Sequence, residues 1–200
     1  MVNKLKQMRR DYINSKPIPK YYKILGMISK GNILDAGCGE GNLSKFLLEE
    51  KNYLKIEGCD LNYNCKFNHK NFNYFQMDLD KEFFPLIQFD VIIFADVLEH
   101  LKEPEKVLEQ TSRYTNKFII SLPNLNFFVY RIYPKLENPP KGESQHLHHW
   151  KLDEFLNLLP KGFKVVKKEY CSDFPEFRWS NYLFPKSSFF NQTIILEVIK

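Results

Sequence analysis

Cysteine is scarce in this chain of 200 residues: Cys38, Cys59, Cys65 and Cys171 form no C-x-x-C pair and no zinc-ligand spacing. That excludes a disulfide scaffold and leaves no recognised thiolate metal site; Cys38 and Cys59 read as free thiols of a reducing compartment. Long apolar runs are also missing. No stretch approaches the roughly 18 uninterrupted apolar residues of a membrane span. Met1 to Lys6 carries charge but no apolar core of the signal-peptide kind. The expectation is a cytoplasmic protein with no membrane span. Internal repeats are lacking, as is any sign of a second domain, and this length suits one domain with a real core. Acidic excess is absent too. The net charge is +5, and much of the excess sits in Lys4, Lys6, Arg9, Arg10, Lys16, Lys20 and Lys23. Such a stretch reads as a solvated helix face, or as a surface for nucleic acid or anionic lipid. No RNA-binding module accompanies it, so a nucleic-acid partner is not expected.

Glycine is sparse, with eight residues, yet three of them fall at alternate positions within residues 33–41, Ile-Leu-Asp-Ala-Gly-Cys-Gly-Glu-Gly. An apolar strand ending in Asp35 thus opens into a loop where Gly37, Gly39 and Gly41 remove side chains and allow positive φ. Residues 43–49 follow as a helix whose first amides point back at the loop, a place for negative charge. A dinucleotide fingerprint would read G-x-G-x-x-G. Here the pattern is D-x-G-x-G-x-G, and an acid two residues before the first glycine repels a pyrophosphate and suits a cation.

Three further strands end in acids. Residues 54–60 end in Asp60, about 20 residues beyond the loop, where a carboxylate accepts both hydroxyls of a ribose. Phe72 to Met77 ends in Asp78-Leu79, and Phe89 to Ala95 leads into Asp96-Val97-Leu98-Glu99-His100-Leu101. Ligands of open parallel sheets bind at the carboxyl ends of strands, which is where these acids fall. Taken singly, Asp35 and Asp60 also read as N-caps, and Asp78, followed by Asp80, Lys81 and Glu82, as part of a solvated loop.

Strands near 31–35, 54–59, 72–76, 89–95 and 117–122 alternate with helices near 42–50 and 103–114, the latter with Pro104 in its first turn. Helices are also expected at 3–14 and 18–29, and the last strands at 163–170 and 192–199. The pattern implies an α/β fold, a mostly parallel sheet with helices on both faces. The crossover after Asp60 is thin on helical pattern and is expected to be short or irregular.

The four acid-terminated strands, in this order, resemble the class I S-adenosylmethionine-dependent methyltransferases over roughly residues 30–125. The resemblance implies a Rossmann-like sheet of seven strands whose last strand inserts antiparallel beside the fifth. It implies S-adenosylmethionine as cofactor, held by Asp35, Gly37, Cys38, Gly39, Gly41, Asp60, Leu61, Met77, Asp78, Leu79, Asp96 and Val97. Asp78 would meet the adenine amino group, with Leu61 and Met77 flanking the ring. The chain then divides into an N-terminal helical cap (1–29), a cofactor core (30–122) and substrate-side loops with the final strands (123–200), all one domain. Ser121-Leu122-Pro123-Asn124, His146 before a helix at Leu152, and the segment from Trp179 to Phe190 are similar to the MetW-like group. Asp96 to Leu101 departs from that group and looks more like quinone-type and other small-molecule O-methyltransferases.

The function expected is methyl transfer to O, N or C of a small-molecule acceptor. The alternative is a cofactor-binding partner subunit that transfers nothing itself. A nucleic-acid methyltransferase comes third, because strand four lacks the Asn/Asp-Pro-Pro-aromatic tetrad. Aromatic loops at 123–150 and 171–190 are expected to cover the transferred methyl. A hydroxyl or ammonium acceptor needs a base; His146 or His149 is expected first, then His100, with Asp96 behind them. No metal is expected, although His146, His148 and His149 with Asp96 or Glu99 are the alternative ligand set.

Overall fold

The computed structural model describes residues 18–62, 65, 67–81, 87–132, 146–173 and 177–200. Strands β1 (Asn32–Ala36), β2 (Lys55–Asp60), β3 (Phe72–Gln76), β4 (Val91–Ala95), β5 (Lys117–Pro123), β6 (Lys164–Cys171) and β7 (Thr193–Ile199) form one seven-stranded sheet in the order β3-β2-β1-β4-β5-β7-β6. Neighbours among β1 to β5 pair in parallel, and β7 runs antiparallel between β5 and β6. The expected sheet, with its antiparallel insertion, is the one observed. Strand order reverses between β1 and β4, and the crevice at that reversal is where open α/β sheets bind ligands.

The strands form because their apolar residues serve two cores at a period of two. Leu34, Ile92, Phe94, Phe118, Ile120 and Leu196 pack into one buried cluster, whereas their neighbours Ile33, Ile93, Ile119 and Ile195 pack into another. Helices α1 (Pro19–Leu25) and α2 (Asn42–Glu50) cover the second cluster through Ile24, Phe46 and Leu47. On the opposite face, α3 (Pro104–Thr111) and α5 (Leu152–Leu156) contribute Val107, Leu108 and Phe155. Between them in sequence lies α4 (Phe128–Ile132), and α6 (Ser180–Leu183) precedes β7.

Several boundaries differ from expectation for local reasons. The helix expected over 18–29 stops at Leu25, where the Gly26 amide closes the last turn on the Tyr22 carbonyl at 3.0 Å. The 103–114 helix shortens to α3, and the aromatic stretch after Asn124, within the loop expected over 123–150, carries α4 among the described residues. No helix lies between β2 and β3 among the described residues, as the thin pattern there implied. A helix expected at 3–14 lies outside the described residues. Among those described, no helix is long and apolar enough to cross a membrane.

The basic N-terminal stretch requires a correction. Lys20 is 7% exposed and faces inward, and Lys23, partly exposed, pairs with Glu169 at 2.8 Å, so Lys20 does not belong to a solvated or nucleic-acid-binding face and the Lys23 charge is matched. The other five cations of that stretch lie outside the described residues. Lys117, paired with Glu197, also donates to the Met27 carbonyl at 2.6 Å. These contacts fix α1 and the turn after it against β5, β6 and β7.

Candidate functional site

At the carboxyl end of β1 the chain enters the glycine loop with φ of +74° at Gly37, +55° at Gly39 and +80° at Gly41. Two of these need glycine for different reasons. A Cβ on Gly37 would stand 2.6 Å from a Val97 methyl, so this glycine permits close packing of the β1 and β4 loops. A Cβ on Gly39 would meet nothing within 4 Å. That open side faces away from packed protein and leaves the loop backbone accessible to a ligand. The loop is anchored to β2, since the amides of Gly37 and Cys38 both donate to the Cys59 carbonyl, at 2.8 and 2.9 Å.

Asp60, the last residue of β2, holds the loop from the side. One carboxylate oxygen accepts the Gly39 amide at 2.9 Å, and the other accepts the Asn62 amide at 3.0 Å. Each oxygen keeps a further acceptor position. Beside it opens a cavity of about 470 Å³, within the range typical of small-molecule sites. Gly37, Val97 and Asp96 form one wall, Asp60, Leu61 and Asn62 another, and Met77, Asp78, Leu79 and Asp80 a third. His100 and Leu101 close it. Another cavity, of about 320 Å³, opens at the amino ends of β1, β2 and β3, away from the glycine loop.

Eight of the residues expected to hold a cofactor therefore line one cavity: Gly37, Asp60, Leu61, Met77, Asp78, Leu79, Asp96 and Val97. Gly39, Gly41 and Cys38 shape the loop without lining it. Burial pushes the Cys38 thiol well up, as it does Cys59, to about 12, so neither is a thiolate. Asn62, Asp80 and Leu101 line the cavity without having been expected there.

Asp35 lies deeper than expected. It is 1% exposed and accepts the hydroxyl of the fully buried Ser44 at 2.7 Å, bracing the loop against α2. Burial raises its pKa to about 6, against the lowering effect of the Ser44 bond. Because the folded value exceeds the unfolded one, the proton-linked stability is present at acid pH and lost as pH rises from about 4 through about 6. We expect Asp35→Asn, which keeps an acceptor for Ser44, to raise stability at pH 7 by about 2 kcal/mol and not at pH 4. Melting temperatures measured from pH 4 to 8 check this; a variant less stable than wild type at pH 7 would contradict it.

Asp96, the residue after β4, has φ +57°, the one positive φ outside glycine among the described residues. Such a conformation costs on the order of 1–3 kcal/mol and persists where surrounding contacts impose it. Here Ser121 donates its hydroxyl to Asp96 Oδ1 at 2.6 Å, and the Lys20 ammonium binds Oδ2. Lys20 also stands 3.5 Å from Asp173 Oδ2. Burial acts to raise the Asp96 pKa, but Lys20 and Ser121 outweigh it and hold the carboxyl below its usual range. The same two acids hold the Lys20 ammonium charged despite its burial. Asp96 is thus an anion committed to Lys20, poorly suited to act as the expected reserve base.

The histidines expected as bases come together beside this cavity. His100 lines it; the rings of His100 and His146 are 4.8 Å apart, and those of His146 and His149 are 5.8 Å apart. Burial, then His100 and His149, lowers the His146 pKa to about 4, so its imidazole is neutral at pH 7. His148 turns away and stacks on Trp150 at 5.0 Å. Glu99, between Asp96 and the histidines, is 1% exposed, and burial together with Asp96 pushes its pKa to about 8.

A family profile described as "Methyltransferase domain" matches residues 7–168. No curated protein matches the chain. Among solved structures, an S-adenosylmethionine-dependent methyltransferase from Mesorhizobium loti superposes with a TM-score of 0.67 at 16% identity, covering 91% of this chain and 96% of that one. One chain of a Haloferax volcanii complex containing the Trm112 methyltransferase activator superposes at 0.69 and 14% identity, over 97% and 92%. The plantazolicin methyltransferase BpumL, in complex with a monoazolic desmethylPZN analog and SAH, gives 0.63 at 18% identity, over 90% and 79%. At these identities the likeness is one of fold.

Proposed function

The chain belongs to the methyltransferase-domain family, and from that premise we propose that it transfers the methyl group of S-adenosylmethionine to a small-molecule acceptor. The observation that carries this reading is the acid-walled cavity at the carboxyl ends of β1, β2 and β4, with the open face of Gly39 beside it. The residues fit the cofactor. Asp60 has acceptor positions left for two ribose hydroxyls. Asp78, at the far wall, suits the adenine amino group, with Leu61 and Met77 for the ring. Asp35 and Asp60 set a negative field under and beside the loop, which favours a ligand carrying an ammonium and a sulfonium over a pyrophosphate.

When bound, S-adenosylmethionine supplies a methyl on a sulfonium, which the acceptor's lone pair takes as the carbon–sulfur pair leaves on a neutral thioether. The protein's part is to hold the two reactants in line and to exclude water. Val97 and Leu101 give the cavity an apolar edge on the side of the histidines. A hydroxyl or ammonium acceptor must also shed a proton, and the cluster of His100, His146 and His149 is the group at hand to take it.

Calorimetric titration with S-adenosylhomocysteine, with NADH as control, tests the cofactor reading. We expect micromolar binding of the first and none of the second. Labelled methyl transferred to a pool of small metabolites and not to RNA supports the acceptor class. Cofactor binding without turnover, together with a stoichiometric copurifying partner, supports the second reading, a cofactor-binding partner subunit.

A further inference from the structure

Glu99 has no evident task in the cofactor site. Its side chain is buried at the base of the turn Leu98–His100, and both carboxylate oxygens lack a hydrogen-bond partner among the described residues, its own backbone amide aside. Buried carboxylates left this way are costly and rare. One ligand atom each from Glu99, His100 and His146 lies within 4.8 Å of the other two. His146 Nδ1 is likewise buried without a partner. We propose that Glu99, His100 and His146 bind one divalent first-row transition-metal ion at the edge of the cavity, leaving coordination positions open to an oxygen of the methyl acceptor.

The donor set suits such an ion. Two imidazoles and one carboxylate are the ligands that borderline cations favour over calcium or magnesium. Ligand atoms sharing such an ion at about 2.1 Å stand roughly 3–4 Å apart, so closing the set takes about an ångström of side-chain rotation. The backbone beneath is held firmly: the amides of Leu147 and His148 donate to the Glu99 carbonyl at 2.7 and 3.1 Å, and His100 donates to Val97 at 3.0 Å. A positive ion also satisfies both Glu99 oxygens, which no other described residue does.

The metal site stands on these residues alone, whereas its role rests on the methyltransferase reading. His100 lines the cofactor cavity, so the ion's open positions lie where an acceptor enters. A coordinated hydroxyl is more acidic. Its proton passes to His149, the oxygen bonds to the methyl carbon, and the carbon–sulfur pair leaves on sulfur. The proposal therefore favours an oxygen acceptor over a carbon one.

The test uses the full chain after chelator treatment, titrated with Co²⁺ and with Mn²⁺ by calorimetry, beside the variants Glu99→Gln and His146→Asn. S-adenosylhomocysteine is titrated into all three in parallel. We expect one ion per wild-type chain, binding weaker on the order of 100-fold in both variants, and S-adenosylhomocysteine affinity within a few-fold throughout. Co²⁺ should give visible absorption in the wild type and lose it in the variants. An ion-free melting temperature of Glu99→Gln at or above wild type shows that its fold is intact. No ion bound by the wild type, or Glu99→Gln binding as the wild type does, overturns the proposal. An ion bound without S-adenosylhomocysteine keeps the site and removes the methyltransferase reading; the reverse result removes the site alone.

Discussion

Asp60→Ala is expected to lower S-adenosylhomocysteine affinity by on the order of 100-fold or more, because it removes a charged acceptor that two ribose hydroxyls would share. The carboxylate does two things at once. It accepts the Gly39 amide at 2.9 Å and the Asn62 amide at 3.0 Å, fixing the glycine loop and the turn after β2. The residue lines the cavity, and each carboxylate oxygen keeps an acceptor position. Asp60→Asn separates the two roles: it keeps one acceptor oxygen and loses the charge, so its affinity should fall between wild type and Asp60→Ala. Stability should fall by only about 1 kcal/mol in either variant, since both amides reach water once released. Calorimetry and thermal melting read the two quantities separately. Affinity of Asp60→Ala within a few-fold of wild type would remove Asp60 from the ribose role.

The sheet and three walls of the cavity were legible in the sequence because they depend on local order. A strand ending in an acid, followed by a loop, places that acid at the carboxyl edge whichever way the remaining chain packs, and Asp60, Asp78 and Asp96 fall there. The depth of Asp35 was missed, although alternation accounts for it once the two cores are known. Leu34 and Ala36 belong to one core cluster and Ile33 to the other, so Asp35 turns towards the face that α2 covers, where Ser44 waits. What sequence order could not supply were contacts between distant segments. Glu99 and His146 meet only because the backbone amides after His146 bond to the Glu99 carbonyl. Lys20 looked like one more exposed cation in a basic stretch. Its partner Asp96 is 76 residues away, and Asp173, whose carboxylate accepts the Lys20 amide, is 153 away. The sign left in the sequence is indirect: two acids, at the ends of β4 and β6, that burial would penalise without a cation.

Lys20→Met should therefore be the most destabilising single change outside the apolar core. Its side chain is 9% exposed and lies between Asp96 and Asp173. Methionine fills similar volume, so the loss is electrostatic: Asp173, 12% exposed, is left as a buried charge without its cation, whereas Asp96, 37% exposed, turns partly to water, so the cost lies at the low end for breaking a buried pair, about 3 kcal/mol. For a chain of this size that amounts to a melting temperature lower by roughly 6–12 °C. Burial already pushes the Asp173 pKa up, with Lys20 holding it down, so removing Lys20 lets it rise further. A carboxyl raised above its unfolded value is stabilising only while protonated, and the deficit of the variant should grow with rising pH and shrink towards pH 4. Lys20→Met combined with Asp173→Asn should recover part of the loss at neutral pH, since one unpaired charge is gone. The consequence for the site follows from Asp96. Its left-handed backbone is held by Lys20 and Ser121 together. With Lys20 gone the β4 loop loses one of its two anchors, and S-adenosylhomocysteine should bind more weakly, though by less than in Asp60→Ala. A melting temperature within a degree of wild type would mean that Lys20 exchanges its partners for water, and the N-terminal helix would then be a cover for the sheet and no longer a support of the site.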